Sequence, residues 1–144
     1  MENKPVTAEQ LFNSDTKKIW NALTDKNEMK KWYFYLEEFK AKTGFKFQFY
    51  GGPDPENQFL HLCEVLEVIP EKKLSYSWRY DGYPGNSTVT FELIKEEDKT
   101  LLKLSHKGLE TFPADNENFA FKNFEKGWDE IIHTSLKQYI EKPN

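Results

Sequence analysis

The feature that most constrains this chain is a change of period. From Phe45 to His106 apolar side chains recur at every second position, and after Asn116 they recur at helical spacing up to Tyr139. Period two places alternate side chains on opposite faces of a strand, whereas a period near 3.6 lines one face of a helix. The clearest alternation is "LSYSWRY", residues 74–80, with Leu74, Tyr76, Trp78 and Tyr80 against Ser75, Ser77 and Arg79. Phe45, Phe47 and Phe49 share a face, as do Val89, Phe91 and Leu93, and as do Leu102, Leu104 and His106. The stretches "EEFKAK" and "GFKFQFYGG" read as a strand pair broken near Thr43-Gly44, and "GGPDPEN" at 51–57 reads as a loop. "QFLHLCEVLEVI" at 58–69 is a long strand, apolar on both faces, so the side on which His61 lies is open. Short turns between these runs imply an antiparallel meander.

Upstream, "PVTAEQLF" at 5–12 has the alternation of a first strand, through Val6, Ala8, Leu11 and Phe12. Two short helices are expected next. Ser14 is placed to cap the first, with Ile19, Trp20 and Leu23 at helical spacing; Asp25 and Glu28 resemble a capping box for the second, whose apolar side carries Met29 and Trp32. Downstream, Asp115 or Asn116 is placed to cap a helix over 117–141 that ends near Pro143. Its stripe is Phe121, Phe124, Trp128, Ile131 or Ile132, Leu136 and Tyr139, while His133 falls on the solvent side. The expected architecture is α+β: a curved antiparallel sheet of about six or seven strands, with the long C-terminal helix packed in its concave face. At 144 residues a single domain over 1–144 is expected.

Composition excludes some functions. Twenty basic residues stand against 24 acidic ones, and no basic run is longer than three, so neither nucleic acid nor a membrane surface is an expected partner. The lone Cys63 cannot form an internal disulfide, and "MENKPVTAEQ" lacks the apolar core of a secretory signal, so a cytoplasmic location is expected. His61, His106 and His133 form no short-spaced metal-ligating pair, and no metal or cofactor is expected. No nucleophile elbow, P-loop or dinucleotide fingerprint is present, and no catalytic residue is assigned. Cys63, inside an apolar strand, reads as an inert packed thiol. Glu37-Glu38 and Glu96-Glu97-Asp98 read as solvated carboxylates.

Four stretches, "KKIWNALTDKNEMKKW", "VLEVIPEKKLSYSWR", "STVTFELIKEEDKTLLKLSHKGL" and "KGWDEIIHTSLKQYI", resemble in their order the START-like (SRPBCC) superfamily with the helix-grip, pollen-allergen-like fold. Within it the chain is similar to the branch named after the activator of the Hsp-90 chaperone ATPase. It departs from that branch at Thr43-Gly44, where a Gly-Gly pair is usual, and at Cys63, where many members have Gly. The resemblance implies the helix-grip fold, a chaperone as one partner with a role in the stress response, and a polyketide-cyclase-like enzyme as a further alternative.

The residues themselves favour a non-catalytic binding protein. Phe47, Phe49, Tyr76, Trp78, Tyr80, Phe91, His106, Phe124, Gly127, Trp128 and Ile131 converge between sheet and helix, either as an aromatic core or as the lining of a cavity for a hydrophobic or aromatic small molecule. Inward Tyr and Trp tips are more polar handles than a dry core needs. His106 is either a histidine bonded to a neighbour or a polar group at the cavity mouth. Gly127 poses the same choice. A glycine inside a helix costs roughly 1 kcal/mol relative to alanine. It is there either to let the helix approach the sheet closely or to leave room for a ligand.

Overall fold

The computed structural model describes residues 4–141, and the side chains of all of these except 53–54. Six strands form one antiparallel sheet: β1 Val6–Phe12, β2 Lys46–Asp54, β3 Asn57–Ile69, β4 Lys73–Tyr80, β5 Ser87–Glu96 and β6 Lys99–Lys107. Their spatial order is β1-β6-β5-β4-β3-β2. The chain crosses from one edge strand to the other through helices α1, Thr16–Thr24, and α2, Lys26–Trp32. Buried side chains alternate along β4, β5 and β6 as the period-two reading requires, and they form one apolar cluster with Phe124, Trp128, Ile132, Leu136 and Ile140 of the last helix. This is the helix-grip α+β fold.

Local details depart from expectation for identifiable reasons. Asp15, not Ser14, caps α1, its carboxylate accepting from the Lys18 N–H at 2.9 Å. Asp25 caps α2, but Glu28 does not close a capping box; its carboxylate accepts the Tyr139 hydroxyl from the last helix at 2.9 Å. In β1 the register sets Ala8 opposite Leu104 and Gln10 opposite Leu102, so Leu11 faces outward. Residues 37–42 are not a strand. They belong to an irregular segment that buries Leu36 and Phe39, the latter ring edge-on to Phe47. The expected loop at 51–57 is mostly sheet, because β2 runs on to Asp54 before a tight turn into β3. β2 is an edge strand, which tolerates Pro53 where a central strand does not. In β3 an extra residue, Leu66, bulges between the pairs Val65–Tyr76 and Glu67–Ser75.

The last helix also differs. Asn116 caps only a one-turn 3₁₀ segment, Glu117–Phe119, and the long helix starts at Phe121. It runs as α3, Phe121–Glu130, then a π-helical stretch, Ile131–Leu136, then α4, Lys137–Glu141. Its expected end near Pro143 lies outside the described residues. The π stretch explains the burial pattern. Residues four apart in an α-helix drift by about 40° per step. Phe124, Trp128, Ile132, Leu136 and Ile140 are each four apart and all buried, which a wider turn in the middle makes compatible with one face. Ile132 is therefore the core residue and Ile131 is half-buried beside it.

Candidate functional site

Between α3 and the β2–β4 end of the sheet lies a cleft of about 590 Å³. Its aromatic walls come from Trp32, Tyr33, Phe34, Phe59, Trp78, Tyr80, Phe119, Phe124 and Trp128, with His61 among them and Gly127, Ile131 and Ser135 on the helix side. Asn118, Asn123, Lys126 and Glu130 supply polar groups. Two glycines shape it. A Cβ on Gly51 would lie 2.7 Å from the Phe34 ring and 3.3 Å from His61 Cε1, so the missing side chain admits those two rings. A Cβ on Gly127 would meet nothing within 4 Å. Gly127 thus fronts open space and is not a close-approach glycine.

Six of the eleven expected lining residues, Trp78, Tyr80, Phe124, Gly127, Trp128 and Ile131, line this cleft. Tyr76, Phe91 and His106 lie elsewhere, fully buried in the packed core. Phe47 and Phe49 border a second groove of about 630 Å³ at the β2 edge, with Cys63, Leu62, Lys46, Glu64, Arg79, Glu37 and Glu38. That groove carries five charged side chains, whereas the cleft has only Lys126 and Glu130 and is walled mainly by aromatic rings, so the cleft is the better apolar site. The Cys63 thiol is pushed up by burial, which keeps it protonated and inert.

The buried polar groups form two separate systems. In the first, Trp128 Nε1 donates to His106 Nδ1 at 2.9 Å, and Ser87 Oγ lies 2.7 Å from His106 Nε2 and 2.7 Å from the Trp78 carbonyl. An indole N–H only donates and a carbonyl only accepts. His106 therefore carries its proton on Nε2 and donates it to Ser87, which donates to Trp78. Burial lowers the His106 pKa to about 3, so the ring is neutral near pH 7. Both nitrogens are engaged, and His106 serves as a strut that fixes Trp128 in the cleft wall. The second group is two unconnected pairs: Trp78 Nε1 donates to the Tyr80 hydroxyl at 2.9 Å, and the Tyr33 and Tyr76 hydroxyls meet at 2.6 Å. Burial, the largest cause, raises the pKa of all three tyrosines above the ordinary phenol value.

His61, whose side was open in the sequence, faces inward. Its ring stacks on Phe49 at 4.5 Å and lies 4.7 Å from Tyr80, with Nδ1 2.9 Å from the Phe59 carbonyl. Burial lowers its pKa to about 4, against the Phe59 and Phe49 carbonyls, which favour the proton. His61, Trp32, Tyr33, Phe34, Phe59 and Phe119 are cleft residues that the sequence reading did not single out. For His61 the signal was its parity with Cys63 and Val65, visible only once the register to Phe49 and Tyr80 is known. His133 is on the exposed side as expected, bonded to Gln10. Among the described residues no three His, Cys, Asp or Glu side chains are placed to hold a metal ion, and no helix is long and apolar enough to cross a membrane.

Known structures share this fold. Protein MLL2253 from Mesorhizobium loti is 26% identical, with 98% of this chain and 99% of that one covered at a TM-score of 0.79. Protein BH1534 from Bacillus halodurans is also 26% identical, covering 95% and 96% at 0.73. Protein CV1439 from Chromobacterium violaceum, at 19% identity, aligns over 100% of both chains at 0.83. No curated protein matches the chain. Residues 13–141 match the family described as activator of Hsp90 ATPase homolog 1-like protein, and the chain belongs to that family.

Proposed function

We propose that this protein is a non-catalytic binding protein that holds a hydrophobic, aromatic small molecule in the cleft between the sheet and α3. The observation that carries this reading is Gly127. An interior helical glycine costs stability, and here it fronts open space in a cleft of about 590 Å³ walled by aromatic rings. That volume lies within the range of small-molecule sites, and apolar walls with a few polar groups are their usual lining. Tryptophans 32, 78 and 128 line the cleft, so occupancy is readable by fluorescence. The test is titration of the protein and of Gly127→Leu with aromatic hydrocarbons, phenols, flavonoids and sterols. Saturable quenching in the parent and its loss in a folded Gly127→Leu variant support the reading. No quenching by any of them counts against it.

The family description favours a second reading, a chaperone-associated protein of the stress response. Stimulation of the cognate chaperone's ATPase by the purified protein tests it, and unchanged turnover with no co-purification rejects it. A cyclase-like enzyme is the third reading. It draws less support, because His106 spends both ring nitrogens on Trp128 and Ser87.

A further inference from the structure

The floor of the cleft holds two polar groups whose hydrogen-bonding capacity is only half used. His61 is nearly fully buried, yet it lines the cleft. Its Nδ1 faces the Phe59 carbonyl at 2.9 Å. A carbonyl only accepts, so the proton sits on Nδ1 and Nε2 carries a lone pair. The Phe49 carbonyl also favours a proton on this ring, but the hydrogen bond His61 makes is at Nδ1; none is made at Nε2 among the described residues, where no buried side-chain nitrogen or oxygen lacks a partner. The atom is therefore reached from the cleft that the ring lines. The Tyr80 hydroxyl receives the Trp78 indole N–H at 2.9 Å. Acceptance leaves its own proton to give. The two rings are 4.7 Å apart, centre to centre, but they are not hydrogen-bonded to each other. An acceptor and a donor thus sit on adjacent rings, amid Phe34, Phe59 and Trp78; the Phe59 carbonyl and the Trp78 N–H are already engaged at His61 Nδ1 and at the Tyr80 oxygen, so neither meets the remaining lone pair or the remaining proton.

A single hydroxyl satisfies both, because it donates once and accepts as well. We propose that the cleft recognises a phenol or enol on a flat ring system. The ligand hydroxyl donates to His61 Nε2, its oxygen accepts from Tyr80, and the rings lie against the aromatic walls. This rests on the small-molecule reading above and names its ligand class. Ionised phenolates are disfavoured, since they lose the donor that His61 accepts and bring a charge into an apolar floor. Aliphatic alcohols lack the flat apolar body that the walls match.

The test uses three probes on the full chain at neutral pH: 2-naphthol, 2-methoxynaphthalene, which keeps the acceptor but loses the donor, and naphthalene, which loses both. The expected result is that 2-naphthol binds about tenfold more tightly than its methyl ether, the worth of a buried hydrogen bond. His61→Phe keeps the stacked ring and removes the lone pair, and it brings that ratio close to one; Tyr80→Phe reduces the 2-naphthol affinity with little effect on naphthalene. Nitrogen NMR of the parent's imidazoles provides a readout that needs no variant, with the His61 Nε2 resonance shifting on 2-naphthol addition and Nδ1 staying put. Equal affinity for all three probes in the parent, with no Nε2 shift, overturns phenol recognition and leaves the apolar cleft standing. Binding of none of them overturns phenol recognition too, and the small-molecule reading falls with it only when the wider panel above also fails to bind.

Discussion

The Trp128 indole N–H donates to His106 Nδ1 across 22 residues, at 2.9 Å and with both side chains buried. This one bond ties the long helix to β6 and sets the indole in the wall of the cleft. It also settles what an inward histidine on a strand end is for. His106 is a link in a directed chain from Trp128 through Ser87 to the Trp78 backbone, and a neutral ring with both nitrogens committed is a poor proton carrier.

Replacing His106 with Leu removes the acceptor for Trp128 and the donor to Ser87 while keeping apolar volume. Leaving a buried donor unpaired costs about 1–3 kcal/mol, so a loss of about 2–4 kcal/mol is expected once the altered fit is included. Urea denaturation measures it. A loss below about 0.5 kcal/mol rejects the strut role.

Acid stability follows from the two inward histidines. Their folded pKa values, about 3 for His106 and about 4 for His61, lie below the ordinary 6.5. The unfolded chain therefore binds more protons below pH 6.5. Stability from these groups is complete above that pH and is lost as pH falls toward 4, with a slope of about 1.4 kcal/mol per pH unit for each histidine. Stability measured from pH 7 to 4 should show this slope, and His106→Gln and His61→Gln should each flatten it. An unchanged slope in both variants contradicts the assignment.

Gly127 and Gly51 in the cleft should respond in opposite ways to alanine. Gly127→Ala adds a Cβ into open space on a helix and should stabilise by about 0.5–1 kcal/mol. Gly51→Ala drives a Cβ into the Phe34 ring and should destabilise by about 1–3 kcal/mol. Thermal melts of the pair decide it, and a destabilised Gly127→Ala would return that glycine to a packing role.

The Tyr33–Tyr76 hydroxyl pair, 2.6 Å apart, predicts strong non-additivity. Either single change to Phe leaves one buried hydroxyl without this partner and should cost about 1–3 kcal/mol. The double change removes both and should cost less than the sum, by about 1 kcal/mol. Additive losses in a double-mutant cycle indicate that the two hydroxyls do not interact.

Legibility in the sequence followed the range of the forces involved. Leu74, Tyr76, Trp78 and Tyr80 alternate because a strand's faces alternate, and this needs no knowledge of partners. The same rule turned His106 inward. By contrast, "EEFKAK" resembles a strand only in composition. With Leu36 and Phe39 three apart, it is held by burial against the sheet edge rather than by any period. The caps of the two short helices were found to within one position, whereas the last helix starts five residues beyond Asn116, and Glu28 was drawn from its expected local bond by Tyr139, 111 residues away. Such competition between a local and a distant partner is invisible in a window of ten residues.

By itself the sequence determined which faces are apolar, where the chain turns, and that one helix must cover a curved sheet. Whether the aromatic residues between those layers fill a core or wall a cleft was decided only in three dimensions. That outcome depends on the separation of the layers, which the sum of contacts along the whole helix sets. Along β1 the helix sits close, and farther down it Ile132 and Leu136 are sealed. Toward β2 and β3, Gly127 faces space that neighbouring side chains leave open. The same strip of residues is core at one end and cleft wall at the other, because packing is a property of volume between surfaces and not of order along a chain.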